Sequence, residues 1–357
     1  MFKFLENIFS IKKNGDCKIV KLFGLKIFES KTESLRKEDS YEMRKKALIK
    51  WRYEDANTFA EYCNKVSENL KSWENVRPGF WMMYISALCE AKKFKQAQKL
   101  LKKYIKLHGY FKIHNFLLVA KLAKSIGMVD ENIEKSVFVL SRLEENNKNK
   151  VFEKLIKGKS VAIVGNGPSE LGKSKGEEID SHDIVMRFNN YQIKGFEKDY
   201  GSKINVWARG LAKDLIDRDE ENGHSCCLWI MNIYRVEIRD EPLDALYRSL
   251  KKGHIQQVCL STEECADFKN IARQTWPTTG LIAINNVLKC KSRNGEKFSI
   301  NDIYGFSFLQ EIQMKDCRHY FNDRSEEESI ERSKSHNLAL ESEMLKKLFK
   351  IDNGKKQ

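Results

Sequence analysis

The chain has 357 residues, of which 41% are hydrophobic, 32% are charged and only four are proline. This length fits two domains, and the shortage of proline and of Ser/Gly-rich tracts argues against long disordered linkers. The formal net charge of +14 fits a nucleic acid, an anionic membrane or an acidic substrate as partner. The basic residues are dispersed and no zinc-finger or RNA-recognition motif occurs, so we expect no nucleic-acid partner.

The sequence indicates a cytoplasmic compartment. No run of 18 apolar residues predicts a membrane span, and the first residues, MFKFLENIFSIKK, lack the apolar core and cleavage site of a signal peptide. The nine cysteines are odd in number and form no CxxC pair. They therefore predict reduced, mostly buried thiols rather than a disulfide framework or a zinc site.

Residues 1–36 form a leader. Phe2, Leu5, Ile8 and Phe9 fit one face of a short helix, and residues 18–28 (KIVKLFGLKIF) fit a small β-hairpin. The first 50 residues contain 13 basic and 7 acidic side chains. Two interpretations stay open: a basic, apolar patch that contacts the inner face of the cytoplasmic membrane, and a segment that packs on the next domain.

Residues 37–150 predict an α-helical domain of helical-repeat character. Residues 80–107 fit two helices with Phe94 in the turn between them, and their small alanines are similar to those of a tetratricopeptide-type pair. Residues 114–124 and 131–143 fit a second pair, with Gly127 ending the first of its helices.

Residues 151–357 predict an α/β domain, because short β-branched runs alternate with helical stretches. The predicted strands span residues 161–164, 183–188, 205–208, 227–232, 257–260 and 302–306. The first strand runs into Gly165-Asn166-Gly167, a turn that can offer backbone N–H groups, and a helix N-terminus after it, to a phosphate. Glu170 stands where a dinucleotide fold requires its third glycine, so that fingerprint fails.

A longer pattern follows this turn. Residues 179–190 read IDSHDIVMRFNN, residues 194–197 read KGFE and residues 201–203 read GSK. In order and spacing, these strings resemble the long motif of the animal-type sialyltransferases. The resemblance covers about residues 158–348 and implies a Rossmann-like fold of the glycosyltransferase-A type.

Further strings are similar to the same family, in the same order. Residues 276–283 (WPTTGLIA) and 302–306 (DIYGF) resemble its short motif. Residues 319–322 (HYFN) resemble its H-Y-aromatic-acid segment, although Asn322 replaces the acid, and residues 336–341 (HNLALE) fit its H-x-x-x-x-E.

The resemblance implies an inverting transfer of sialic acid, or a related nonulosonic acid, from a CMP-activated donor to a glycan hydroxyl, with no metal and no cofactor. It implies that His336 is the general base and that His319 contacts the departing phosphate. Glu341 would support its segment, and we interpret His182 as structural. The implied donor-binding residues are Asn166, Gly167, Asn189, Thr278, Thr279, Gly280 and Tyr320.

The sequence also departs from the family. Cys290 lies near the short-motif cysteine, but Val161 occupies the long-motif position, so the family's disulfide is not expected. With the missing membrane anchor, this indicates a cytoplasmic bacterial relative and leaves the donor sugar open. As acceptor we expect a cell-surface glycan of lipooligosaccharide or capsule, in a lipid-linked form. Asp217 and Asp219 spell the D-x-D of metal-dependent glycosyltransferases, but they lie in a charged run that we interpret as solvated.

Three alternatives stay open. The donor is a different CMP-ulosonic acid, such as CMP-Kdo or a pseudaminic-type sugar. The chain is a helical-repeat scaffold with an inactive transferase domain. The Gly165 turn belongs to a nucleotide-dependent oxidoreductase, which the failed fingerprint and the unexplained His319 and His336 disfavour.

Overall fold

The structure, a computed structural model, describes the backbone of three strands before residue 32 and most of the chain from residue 47 onward. The described residues are 9–14, 17–22, 25–31, 47–48, 50–68, 76–211, 223–258, 268, 277–306, 319–321, 325, 327–328 and 336–350. The chain divides into two compact units, Met1–Lys50 and Trp51–Gln357.

The first unit contains an antiparallel meander of Phe9–Asn14 (β1), Cys17–Leu22 (β2) and Leu25–Lys31 (β3). The second and third strands agree with the predicted hairpin. The helix predicted for the leader is wrong at Phe9, which begins β1; Phe2, Leu5 and Ile8 lie outside the described residues. The alternation of Phe9 and Ile11 with Ser10 and Lys12 has the period of a strand, which explains the difference.

The second unit begins with helices. They are Ala56–Glu68 (α1), Pro78–Glu90 (α2), Phe94–His108 (α3), Leu117–Ser125 (α4) and Glu131–Lys148 (α5). Buried Ala87 and Ala97 allow α2 and α3 to pack closely, and the rings of Trp81 and Tyr104 join them with centroids 5.7 Å apart. Phe94 begins α3 rather than lying in the preceding turn.

Gly127 follows the end of α4, as predicted. Its φ of 86° lies in the left-handed region, and the next N–H, of Met128, donates to the carbonyl of Ala123 at 3.1 Å. This is the hydrogen bond of a glycine-terminated helix.

The rest of the unit alternates strands and helices. The elements are Val151–Ile156 (α6), Val161–Val164 (β4), Gly176–Asp180 (α7), Ile184–Phe188 (β5), Glu197–Tyr200 (α8), Val206–Arg209 (β6), Cys226–Trp229 (β7), Asp240–Lys251 (α9), Ile255–Val258 (β8), Thr279–Arg293 (α10), Ile303–Tyr304 (β9) and Leu338–Leu348 (α11). Six of these strands form one parallel sheet in the order β8-β7-β6-β5-β4-β9. The predicted α/β class is confirmed, and the six predicted strands overlap the observed ones.

The helices and the sheet share one hydrophobic core. Leu140 and Leu143 of α5 belong to the same buried cluster as Trp207 of β6 and Trp229 of β7. The amide of Asn146 also donates to the Gln256 carbonyl of β8 at 2.7 Å. The division observed after Lys50 therefore lies at neither of the boundaries that we predicted at residues 36 and 150, and the helices from α1 to α5 belong to the same unit as the sheet.

The described cysteines of this unit form no disulfide with one another and are buried: Cys63, Cys89, Cys226, Cys227 and Cys290. Burial raises the pKa of the Cys89 and Cys226 thiols to about 12, so these side chains act as apolar core residues. None of the helices in the described part of the chain is both long and apolar enough to span a bilayer.

Candidate functional site

The candidate site lies where the strand order of the sheet reverses. The chain proceeds from β4 through β8 in one direction, and β9 then returns to the other side of β4. Ligands of parallel α/β sheets bind outside the carboxyl ends of the strands at such a switch point. Three predicted residues follow these ends directly: Asn166 and Gly167 after β4, and Asn189 after β5.

Hydrogen bonds between backbone groups hold the end of β4 and the turn after it against the end of β9. The N–H groups of Gly165 and Gly167 donate to the carbonyls of Tyr304 and Gly305, both at 2.8 Å. A Cβ on Gly165 would lie 2.5 Å from the Gly305 carbonyl oxygen, so only glycine permits this approach. These two N–H groups are therefore engaged within the protein, and they are not the phosphate donors that the sequence predicted.

A helix N-terminus after this turn is also missing, because Pro168–Glu170 forms only a single 3-10 turn. Glu170 has a different use: its buried carboxylate accepts hydrogen bonds from the Ser169 hydroxyl at 2.7 Å and from the Gly305 N–H at 3.3 Å. The residue that breaks the dinucleotide fingerprint thus stabilises the junction of β4 and β9.

Asn166 presents a buried hydrogen-bond acceptor at the carboxyl ends of the strands. Its Nδ2 donates to the Phe188 carbonyl at 3.2 Å and to Asn190 Oδ1 at 3.4 Å, which fixes the orientation of the amide. Its Oδ1 is buried and accepts no hydrogen bond from the described residues. An unsatisfied buried acceptor costs about 1–3 kcal/mol, so this atom is suited to a hydrogen bond from a bound ligand.

Asn189 is held in a left-handed conformation, with φ of 45°. Its N–H donates to the Ala208 carbonyl at 3.0 Å, and its Oδ1 accepts from the Gly210 N–H at 3.1 Å. The indole of Trp207 donates to its carbonyl at 2.8 Å. Since Oδ1 is used inside the protein, the Nδ2 of Asn189 is the group that it can offer to a ligand.

Tyr320 connects the C-terminal region to the turn after β4. Its N–H donates to the Asn166 carbonyl at 2.9 Å, and its hydroxyl donates to the Gln192 carbonyl. Its ring stacks on Tyr200 with centroids 3.9 Å apart and is buried. Tyr320 is therefore a packing residue that brings the neighbouring His319 beside the Asn166 turn.

Thr278, Thr279 and Gly280 lie at the beginning of α10, as predicted. The Thr278 hydroxyl caps the helix by accepting from the Leu281 N–H at 3.2 Å, and it donates to Glu341 Oε2 at 2.5 Å. The proton of this hydroxyl is thus used inside the protein. The Thr278 side chain links the beginning of α10 to Glu341.

Glu341 forms the other side of that link. It is fully buried in the first turn of α11, and its Oε1 accepts from the Thr278 N–H at 2.9 Å. Burial raises the pKa of Glu341 to about 7, against the lowering effect of its two hydrogen bonds from Thr278. The pair holds the start of α11 against the start of α10, which brings His336, two residues before α11, into this region.

Phe306 connects the two halves of the site. A Cβ on Gly280 would lie 2.3 Å from its ring, and a Cβ on Gly165 would lie 2.8 Å from the same ring. The ring also meets Phe188 edge-on with centroids 5.8 Å apart. The ends of β4, β5 and β9 and the beginning of α10 therefore converge on one aromatic side chain.

Two residues of the string that resembles the long motif, Asp180 and His182, make contacts within the protein away from the Asn166 turn. Asp180 accepts from the N–H groups of Ser202 and Lys203 at 2.7 and 2.9 Å. His182 contacts Asp302 at 3.4 Å and lies before β5, at the opposite edge of the sheet from Asn166. This agrees with the structural role that we predicted for His182.

A cavity of about 270 Å³ opens next to Asn189. Gly210, whose N–H contacts Asn189, and Ile282 of α10 line one part of it. The remaining walls come from the ends of β6 and β7 and from the segment before α1. These lining residues are Arg52, Tyr53, Leu211, Ile230, Met231, Asn232, Arg235 and Val236.

Buried Arg235 links the segments that form the walls of this cavity. Its guanidinium forms a two-pronged ion pair with Glu90 of α2, with N–O distances of 2.9 Å, and donates to the Glu54 carbonyl. The positive charge of Arg235 is therefore neutralised, and the residue ties the helices to the loop after β7.

Comparison with known proteins adds to this geometry. Residues 105–209 match the model of glycosyltransferase family 29, the sialyltransferases. The match begins in α3, earlier than the resemblance that we drew from residue 158, and it ends at β6. It therefore includes Asn166, Gly167 and Asn189, whereas the predicted residues from Thr278 to Glu341 lie outside it.

Individual relatives support a glycosyltransferase. An alpha-N-acetylgalactosaminide alpha-2,6-sialyltransferase 1 of Gallus gallus is 31% identical over 121 residues, which is 32% of this chain and 21% of that protein. A CMP-N-acetylneuraminate-beta-1,4-galactoside alpha-2,3-sialyltransferase of Homo sapiens is 58% identical over 44 residues, 12% of each chain. The chain thus spans about a fifth or less of the length of these curated relatives.

Sequence reasoning missed three residues that build the site: Phe306, Tyr200 and Glu170. Tyr200 donates to the Gly167 carbonyl at 2.7 Å besides stacking on Tyr320. The signals were present in the strings YGF and KDY, but aromatic letters alone do not tell which glycines they will contact. Among the described residues no group of three His, Cys, Asp or Glu side chains is suited to a metal ion; Asp217 and Asp219 lie outside those residues.

Proposed function

We propose that this protein is an inverting sialyltransferase, which transfers sialic acid or a related nonulosonic acid from a CMP-activated donor to a hydroxyl of a bacterial cell-surface glycan. The observation that carries the proposal is the buried Oδ1 of Asn166 at the switch point of the sheet, within the segment that matches family 29. The acceptor glycan is that of lipooligosaccharide or capsule in a lipid-linked form, reached in the cytoplasm.

The two asparagines meet different parts of the donor. Asn166 Oδ1 is an acceptor, so its partner is an N–H or O–H group: the amino group of cytosine or a ribose hydroxyl. A phosphate ionised at neutral pH offers acceptors, so it pairs with the Nδ2 donor of Asn189 instead. Thr279 and Gly280 form the positive end of the 15-residue helix α10, which favours the negative charge of the donor.

The reaction uses two histidines. His336 accepts the proton of the acceptor hydroxyl, whose oxygen forms the new bond to the anomeric carbon while the bond from that carbon to the CMP phosphate breaks. His319 hydrogen-bonds the departing phosphate oxygen. Support comes from the links already described: Glu341 and Thr278 hold the segment of His336, and Tyr320 holds the segment of His319 against Asn166.

The cavity lined by Arg52, Tyr53 and Asn232 receives the acceptor glycan. Gly210, which lines the cavity, donates its N–H to Asn189, so the cavity is next to this asparagine. Both polar and apolar side chains line it, which suits the hydroxyl groups and the C–H faces of a saccharide. The reaction needs no metal, because a donor with one phosphate carries little charge to neutralise. Turnover should survive exhaustive chelation with EDTA; loss of activity that Mn²⁺ restores would contradict this part of the proposal.

A donor screen tests the function. Purified protein is incubated with CMP-sialic acid, CMP-Kdo and a CMP-pseudaminic-type sugar, with and without lipooligosaccharide, and CMP release is measured. We expect release from CMP-sialic acid or a close relative that acceptor accelerates. Release only from CMP-Kdo would move the protein to another donor class, and no CMP binding at all would favour an inactive scaffold.

The Asn166 contact is tested by calorimetry with CMP. Removing a ligand's partner at a buried site costs about 1–3 kcal/mol, so Asn166→Ala should weaken CMP binding roughly 5- to 150-fold. Asn132→Ala, the same chemical change at an exposed position of α5, is the matched control and should bind CMP as the wild type does. Equal affinity in both variants would remove Asn166 from the donor site.

A further inference from the structure

One stretch of the helical region carries basic residues with no acidic residue among them. Residues 91–129 contain ten lysines and no aspartate or glutamate. Three of these lysines are neutralised by carboxylates from elsewhere: Lys112 pairs with Glu237, Lys121 with Glu144 and Lys124 with Glu134. The charge left over is centred on α3 and on the turn before it.

Lys95, Lys99, Lys102 and Lys106 form a lysine stripe along α3. Their spacing of three and four residues puts them on one face of the helix, over a length of about 16 Å. All four are exposed, and no carboxylate of the described residues lies within ion-pair distance of them. Like charges at this spacing repel one another and destabilise the helix. A partner with many negative charges would compensate this repulsion when it binds.

Exposed apolar side chains surround the lysine stripe in sequence. The described residues include six exposed large hydrophobic side chains, and five of them belong to residues 91–129: Phe94, Leu107, Tyr110, Phe111 and Val129. Phe94 and Leu107 lie at the two ends of α3 itself. The hydroxyl of Tyr104 donates to the Phe111 carbonyl at 2.6 Å and holds the turn that carries Tyr110 and Phe111 against the helix.

We propose that the lysine stripe of α3, with the exposed apolar side chains at the two ends of this helix and in the turn after it, is a docking surface for an anionic phospholipid bilayer. Lysines attract the acidic headgroups, and aromatic and aliphatic side chains enter the boundary between headgroups and acyl chains. A nucleic acid would match the lysines but not the exposed aliphatic Leu107. All of its residues belong to the second unit of the chain, and the proposal does not depend on the proposed reaction.

Vesicle co-sedimentation of the full-length chain tests the proposal. We expect binding to vesicles of phosphatidylglycerol and phosphatidylcholine, weaker binding at high salt, and little binding to pure phosphatidylcholine. The stripe variant changes Lys95, Lys99, Lys102 and Lys106 to Gln, which keeps a good helix former at each position. Its partition coefficient for the anionic vesicles should fall at least about tenfold.

The matched control removes the same charge elsewhere. Its four changes to Gln are at Lys148, Lys154, Lys157 and Lys159, which are exposed and lie outside the stretch. We expect a loss of less than about threefold, and an unchanged circular dichroism spectrum in both variants. Equal losses would show that net charge alone governs binding, and wild-type binding by the stripe variant would remove α3 from the surface. Tighter binding to single-stranded RNA than to vesicles at equal phosphate concentration would also overturn the proposal.

Discussion

Glu341 is a carboxyl group inside the protein, and both of its oxygens face Thr278. The pKa of Glu341 rises from 4.5 to about 7 because burial disfavours the charged form. The folded protein therefore holds this proton at pH values where the unfolded chain has lost it. In that range the contribution of Glu341 to stability falls as the pH rises.

Glu341→Gln should flatten this pH dependence. A shift from 4.5 to about 7 corresponds to roughly 3 kcal/mol, present below pH 4.5 and lost by about pH 7. Urea unfolding at pH 5, 6.5 and 8 should show the wild type losing stability across this range and the variant losing less. Glu131→Gln, at an exposed position of α5, should keep the wild-type profile. Parallel profiles of wild type and Glu341→Gln would contradict the argument.

Alanine variants of His336 and His319 should differ in their kinetics and in their affinity for CMP. His336→Ala should lower kcat by about 10²–10⁴-fold and leave CMP affinity unchanged, because a general base acts on the acceptor. His319→Ala should weaken CMP binding as well as the rate. Initial rates beside calorimetry with CMP distinguish the two, with His254→Ala, before β8, as the control. Loss of CMP binding in His336→Ala would make that residue a donor ligand or a fold residue.

At the scale of the elements, Gly165 after β4 and Gly280 in α10 both pack against the ring of Phe306. This contact allows the end of β4 and the beginning of α10 to approach the end of β9. Gly280 is opposed by the ring alone, whereas Gly165 is opposed by the ring and by the Gly305 carbonyl. A side chain can adjust, but a carbonyl in a hydrogen-bonded turn cannot. The two positions should therefore respond differently to the same substitution.

Gly280→Ala and Gly165→Ala should each destabilise the protein by about 1–3 kcal/mol through overpacking. Adding Phe306→Leu should recover stability for Gly280→Ala but not for Gly165→Ala. Gly79→Ala, at a position of α2 with no atom within 4 Å of the added Cβ, is the control and should not destabilise the protein. Thermal unfolding measures all of these variants. Equal recovery at both glycines would mean that the carbonyl contact is unimportant.

Strands β4, β5, β6 and β7 were predictable because each is a short, mostly apolar run buried on both faces, as parallel strands are. The turn after β4 was not, since the same letters Gly165-Asn166-Gly167 describe a phosphate cradle and a close approach of two turns. What decided between them was Gly305, 140 residues away, whose carbonyl takes the Gly167 N–H. Asn166 was predicted as a site residue, but only the structure shows that its oxygen, and not its nitrogen, is left for a ligand.

At the scale of the whole molecule, α5 and the sheet form one core, so they should unfold together. Leu140→Ala, at a fully buried position of α5, should cost about 2–5 kcal/mol. Far-ultraviolet circular dichroism, which follows the helices, and the fluorescence of the tryptophans should shift to the same lower midpoint. Val129→Ala, at an exposed position, should change stability by less than about 0.5 kcal/mol. Separate midpoints for the two signals in Leu140→Ala would restore an independent helical domain.

The sequence did not predict this shared core, because amphipathic helices look alike whether they pack on one another or on a sheet. The apolar positions Leu140 and Leu143 are compatible with either partner. Trp207 and Trp229, far along the chain, determine that these helices cover one end of the sheet. Domain boundaries drawn from a change of pattern at residue 150 cannot contain that information.

The origin of the cavity walls has a practical consequence for redesign. Arg52 and Tyr53 come from the segment before α1, and the other walls come from the ends of β6 and β7 and from α10, whereas Asn166 and Phe306 follow β4 and β9. Chimeras that exchange the segment before α1 and the loop after β7 as a pair would therefore vary the cavity while the β4–β9 junction stays intact. The pair must move together, because Arg235 in that loop donates to the Glu54 carbonyl of that segment.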